Sequence, residues 1–157
     1  MEPVSVKPDT IEKQTTKVVT KTKVIGSLPK DTIHLEYEEN HGHYLKVIVN
    51  GLPMRFLLDT GCSDVQITNL EVSFMHKHGM LPASCHVGEA VATIADGSQV
   101  KCDQWKLSSV KIGKTELTDI ECGAMENCNA ELLIGQTVLE KLGTVSIDYK
   151  KHLLLIY

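Results

Sequence analysis

The sequence predicts a mostly β fold, a closed β-barrel with one or two short helices. Three observations carry this. From Thr32 onward apolar residues alternate with polar ones, in runs such as "TIHLEYE" and "YLKVIV". Two-residue turn signals, Asn50-Gly51 and Asp96-Gly97, sit between such runs. The helical stretches are short, and each closes on a glycine, Gly79 or Gly143.

The elements follow in chain order. Residues 1–31 are rich in Lys, Thr and Val without a helical period, as in "TKVVTKTKVIG", and read as an extended arm or linker. A linker, a partner-binding tail and a segment removed by self-cleavage are all consistent with it. Residues 32–157 form the domain. "TIHLEYE" puts Ile33, Leu35 and Tyr37 on one face of a half-buried strand, and "ENHGH" turns it. "YLKVIV" passes through Asn50-Gly51 into "MRFLL", a hairpin. "VQIT" is a short strand, and Thr68 with Glu71 forms a capping box that opens a helix ending at Gly79. "EAVATIADGSQVKCDQWKLSSVKIG" is two long β runs about Asp96-Gly97, "TELTDIEC" a further strand and "CGAMENCNA" a loop. "ELLIG" is a short apolar strand, "QTVLEKLG" a helix, and "TVSIDY" and "HLLLIY" flank a turn at Lys150-Lys151.

Composition narrows the function. A chain of 157 residues fits one domain, and 42% hydrophobic content supports a core. With only 4% aromatic residues, that core must be aliphatic. A net charge of -4 and a single arginine, Arg55, argue against a nucleic-acid surface. No apolar run is long enough to span a bilayer, so no membrane segment is expected in this chain. The five cysteines, Cys62, Cys85, Cys102, Cys122 and Cys128, contain no tight CxxC pair and read as free thiols, with an approach of Cys122 to Cys128 left open. "MEPVSVKPDT" lacks an apolar signal core, so a cytoplasmic location is expected, a leader removed earlier remaining open. His41 and His43, His76 and His78, and Cys85 with His86 resemble metal-ligand pairs, but none has the spacing of a zinc finger or a catalytic zinc helix. No metal and no cofactor is expected.

The chemistry concentrates in "RFLLDTGCSD", residues 55–64. Apolar residues run straight into Asp59, and Thr60 and Gly61 follow. A carboxylate at the end of a buried strand is costly unless it is used.

That stretch resembles the retropepsin-like aspartic proteases, the single-lobe relatives of pepsin. The resemblance rests on the apolar strand with Asp59, Thr60 and Gly61, on "LLIG" (Leu132 to Gly135) followed by a short helix, and on "ATIADGSQV" between them, where the family has its flap hairpin. It spans Tyr44 to Tyr157. It implies a single-lobe acid-protease barrel and an aspartic endopeptidase that activates a water between two carboxylates sharing one proton. Thr60 would lock the loop, and Gly61 would let backbone N–H groups reach the carboxylate. Only one Asp-Thr-Gly is present, so the resemblance implies a homodimer with one Asp59 from each subunit. The family pairs its terminal strands across the dimer, which would place "HLLLIY" between subunits, pairing within its own sheet being the alternative. An extended peptide or protein substrate would lie between the residues after Gly61, namely Ser63 and Asp64, and a flap tip formed by Ile94, Ala95, Asp96, Gly97 and Ser98.

Departures from the family are local. Retroviral members have Ala and Asp after the triplet and an Arg after the later Gly; here Cys62, Ser63 and Gln136 stand there, neutral together. Cys62 reads either as a small apolar filler or as a thiol whose oxidation blocks the site. A catalytically weak or inactive peptide-binding or dimerisation module is the alternative on the same fold, and a metal-binding β domain is a third reading.

Overall fold

The computed structural model describes residues 28–157. The arm expected over residues 1–31 falls, through residue 27, outside the described residues; Asp31 already belongs to the first strand.

The chain folds into thirteen strands and two helices among the described residues. The first hairpin shows why. Strand β3 (Gly42–Val49) buries Tyr44, Leu45, Val47 and Val49 and exposes Lys46 and Ile48. Strand β4 (Leu52–Leu58) buries Met54 and Phe56 against the same core. Val49 pairs with Leu52, so Asn50 and Gly51 form a two-residue turn at φ 49° and 87°, the left-handed geometry that Asn-Gly supplies. Phe56 is fully buried, so truncating it to Ala would cost about 3–5 kcal/mol.

After β5 (Val65–Thr68) comes helix α1 (Asn69–Lys77), opened by the expected capping box. The Thr68 hydroxyl accepts from the Leu70 N–H, while Glu71 accepts from the Thr68 N–H. A short 3-10 turn precedes β6 (His86–Thr93), which pairs with β7 (Gln99–Leu107) as a long hairpin whose turn contains Asp96 and Gly97. Then follow β8 (Val110–Ile112), β9 (Thr115–Leu117), β10 (Ile120–Met125), β11 (Leu133–Ile134), helix α2 (Gln136–Leu142), β12 (Val145–Asp148) and β13 (Leu153–Ile156).

Two sheets result. The large one runs β6-β7-β10-β5-β11-β4-β3-β8-β9, with β2 (Glu36–Glu38) added on β3. Its end strands β6 and β9 do not pair with each other, so the ladder is open and the closed barrel expected from the sequence is not seen among the described residues. The small sheet is β1 (Asp31–His34), β13 and β12.

Several local expectations need correction. "TIHLEYE" is two strands rather than one: Leu35 is buried between them and its N–H donates to the His152 carbonyl, so β1 joins one sheet and β2 the other. "TELTDIEC" breaks at Asp119, which sits at φ 55°, and the start of "CGAMENCNA" is strand, because Cys122–Met125 pair with both β5 and β7. The terminal strand was expected to pair across a dimer. It lies instead in the middle of the small sheet, with β1 on one edge and β12 on the other, so both of its edges are occupied within the chain.

Candidate active site

Asp59 stands where β4 ends. The short β11 lies between β4, to which it is parallel, and β5, to which it is antiparallel. The Leu57 N–H donates to the Leu132 carbonyl and the Asp59 N–H to the Ile134 carbonyl, at 2.8 and 2.9 Å. The two ends of the resemblance, "LLD" and "LLIG", are thus neighbouring strands, and Asp59 is carried on the fixed end of a ladder. It is half-buried.

The loop after it is closed by its own groups. The Gly61 N–H donates to Asp59 Oδ1 at 3.0 Å, and the Cys62 N–H to the Asp59 carbonyl at 3.1 Å. From the start of α2, the Gln136 N–H reaches the Cys62 carbonyl at 2.8 Å and the Thr137 N–H the Ser63 carbonyl at 2.9 Å. Gln136 Nε2 donates to the Thr60 carbonyl at 2.7 Å, and the Thr137 hydroxyl donates to the Ser63 carbonyl. Gln136 therefore braces the Asp59 loop as a neutral donor where retroviral members carry Arg. Gly135 makes this possible: a Cβ there would lie 2.6 Å from the Cys62 carbonyl carbon, so no side chain fits. Thr60 is exposed, and among the described residues its hydroxyl has no partner; only its carbonyl is held.

A cleft of about 1070 Å³ opens in front of Asp59. Asp59, Gly61 and Cys62 form its floor, and Ile94, Ala95 and Asp96 of the β6–β7 turn line it. Gly97 and Ser98 do not: Ser98 donates through its N–H and hydroxyl to Asp96 Oδ1 at 2.8 and 2.6 Å, closing the turn. Ser63 and Asp64 lie off the cleft, facing α2. Sequence reading missed Gln66, Lys101, Met125, Glu126, Asn127 and Ala130 as cleft residues. The alternation of β7 and β10 carries a faint signal for Lys101 and Met125; the 126–130 loop carries none, since only the fold brings it opposite the hairpin.

The Cys62 thiol donates to the Asp64 carbonyl at 3.3 Å. Burial first, and the charges of Asp59 and Asp64, push its pKa up, against a lowering by the bond to Asp64. A thiol held protonated is a poor nucleophile, which favours the filler role over the redox one. Cys122, pushed up to about 12 mainly by burial, is inert packing, and all five cysteines are free.

On the other side of the Asp59 loop lies a second groove, of about 860 Å³, lined by Thr60, Gln136, Leu139, Val145, Ile147 and Tyr149 among others. Strand β12 forms its rim. The Tyr157 N–H donates to the Thr144 carbonyl, which sets the alternation along the pair: Thr144, Ser146 and Asp148 turn their backbone groups to β13, and Val145 and Ile147 turn theirs outward. Those outward groups meet no backbone partner among the described residues. At the far edge of the same sheet the Lys114 N–H donates to the Asp31 carboxylate of β1 at 2.7 Å.

The comparisons with known proteins agree with this geometry. The family model described as aspartyl protease matches residues 45–138, more than half of the chain. The crystal structure of a retropepsin-like aspartic protease from Rickettsia conorii is similar at a TM-score of 0.57 and 23% identity, over 80% of this chain and 89% of that one. No curated protein matches. The chain belongs to the aspartyl protease family, with the retropepsin-like fold.

Proposed function

We propose that the protein is an aspartic endopeptidase whose site is completed by a second copy, each chain contributing its Asp59. The single observation that carries this is an Asp-Thr-Gly turn held open-faced, with Asp59 on an open cleft and Thr60 on a groove rimmed by a strand edge that is unpaired among the described residues. Two carboxylates brought together cannot both ionise. One takes a proton from water, which attacks the peptide carbonyl; the other gives its proton to the carbonyl oxygen, and the leaving nitrogen is protonated as the tetrahedral species collapses. The β6–β7 hairpin acts as a flap over an extended substrate, with Ile94, Ala95 and Asp96 toward it.

The second copy docks through β12. Antiparallel pairing of β12 with its symmetry mate about Ser146 joins Val145 of one copy to Ile147 of the other, satisfying both sets of outward groups. It puts the free Thr60 hydroxyls at the shared interface. An inactive peptide-binding module would have the same fold, and a digest separates the two. A peptide-library digest scanned from pH 3 to 7 that finds cleavage at any pH in that range, lost in Asp59→Asn, supports the enzyme; binding without cleavage supports the module.

A further inference from the structure

His43 and His152 lie outside the cleft and outside the machinery described above. His43 is on β3, opposite Tyr37 of β2. His152 is in the turn between β12 and β13, at φ 57°. His43 Nε2 and His152 Nδ1 are 2.9 Å apart. Tyr37 stacks on the His152 ring at 5.1 Å and 14°, and Tyr149 meets the His43 ring edge-on at 5.6 Å. The Leu35 N–H donates to the His152 carbonyl at 2.8 Å. This cluster fastens the turn of the small sheet to the large sheet. Among the described residues no third His, Cys, Asp or Glu completes a metal-ligand group around it, so the ligand to consider is the proton.

A hydrogen bond between two imidazole nitrogens holds one proton between them. The neutral pair and the singly protonated pair both allow it. With both rings protonated, N–H faces N–H and two positive charges face each other across the contact. The surroundings do not offset this. Glu36 and Glu38 of β2 are engaged by Arg55 of β4, at 3.0 and 3.3 Å. Tyr44 on β3 is engaged with Glu131. In the turn, Asp148 accepts the N–H groups of Lys150 and Lys151, whose side chains add positive charge, and Tyr37 and Tyr149 present neutral rings. Burial first, then His152, lowers the pKa of His43. A lowered folded value means that the neutral contact contributes its full stability above the ordinary histidine range, about 6.5, and loses it as pH falls below that range.

We propose that the His43–His152 pair is an acid-released latch: uptake of the second proton parts the rings, frees the β12–β13 turn and draws Tyr149 and the β12 edge out of the docking groove. Acid thereby uncouples the two copies. The consequence for dimerisation rests on the two-copy reading above; the latch itself does not.

The test is hydrogen exchange of the Leu35 amide, corrected for intrinsic rate, at pH 7 and pH 5 on the full chain, with Val47 in the large sheet as the reference amide. Sedimentation velocity on the same samples reads the dimer. The parent should lose about tenfold or more of its Leu35 protection at pH 5 while Val47 keeps its own, and its dimer fraction should fall. His43→Gln, which keeps a neutral hydrogen-bonding side chain, should retain both at pH 5. His152→Asn, which tolerates the left-handed backbone, should do the same. Leu35 protection unchanged in the parent, Val47 falling in step with Leu35, or His43→Gln declining as the parent does would each overturn the latch. A parent monomeric at pH 7 would refute the two-copy reading, and Leu35 would still decide the latch.

Discussion

The Asp59 loop and the β12 edge border one groove and treat their backbone polar groups in opposite ways. In the loop, the carbonyls of Asp59, Thr60, Cys62 and Ser63 all find donors within the chain, chiefly from the first residues of α2. On β12, Val145 and Ile147 turn their groups away from the chain. The loop has its shape without help, whereas the edge is a template without a partner among the described residues. On the two-copy proposal, one chain builds a half-site and the β12 edge is the surface through which the other half would arrive.

Four perturbations break or sharpen this contrast, from the largest expected effect to the smallest. Asp59→Asn removes the chemistry and leaves both regions in place, so peptide cleavage should fall by about 10³-fold or more with sedimentation unchanged. Ile147→Pro deletes an outward N–H without touching a bond to β13, and the dimer dissociation constant should rise roughly ten- to a hundredfold by ultracentrifugation. Gly135→Ala strikes the loop side instead. Its methyl meets the Cys62 and Asp64 carbonyls, so thermal unfolding should show a loss of about 1–3 kcal/mol. Thr68→Ala removes the α1 cap, away from both regions, and should cost about 1 kcal/mol with kcat/KM unaltered.

What was legible in the sequence was local. Asn50-Gly51 and the Thr68–Glu71 box each report the conformation of their own few residues and formed as read, whereas Asp96-Gly97 marks a hairpin whose connection is five residues, Ile94 to Ser98, between the paired Thr93 and Gln99. Asp59 could be found because a carboxylate at the end of an apolar strand contradicts burial. The pairing of strands far apart in sequence could not be read in this way. Leu35 looks like one more strand residue until His152, distant in sequence, accepts its N–H. "HLLLIY" looks like an edge awaiting a partner subunit until β1 and β12 take both of its sides. Ser63 and Asp64 follow the Asp-Thr-Gly triplet in sequence, yet hydrogen bonds from Thr137 turn them toward α2 rather than the cleft. The Glu126–Ala130 wall and the histidine pair exist only in three dimensions.

The most direct test of the shared site is subunit mixing. Parent chain at fixed concentration is exchanged with increasing Asp59→Asn chain, and cleavage of one peptide is followed. If each active site takes one Asp59 from each of two chains, activity per parent chain falls in proportion to the parent fraction, because mixed dimers are dead. Activity per parent chain that stays constant at every ratio, under conditions where exchange is verified, would mean that a single chain holds a complete site.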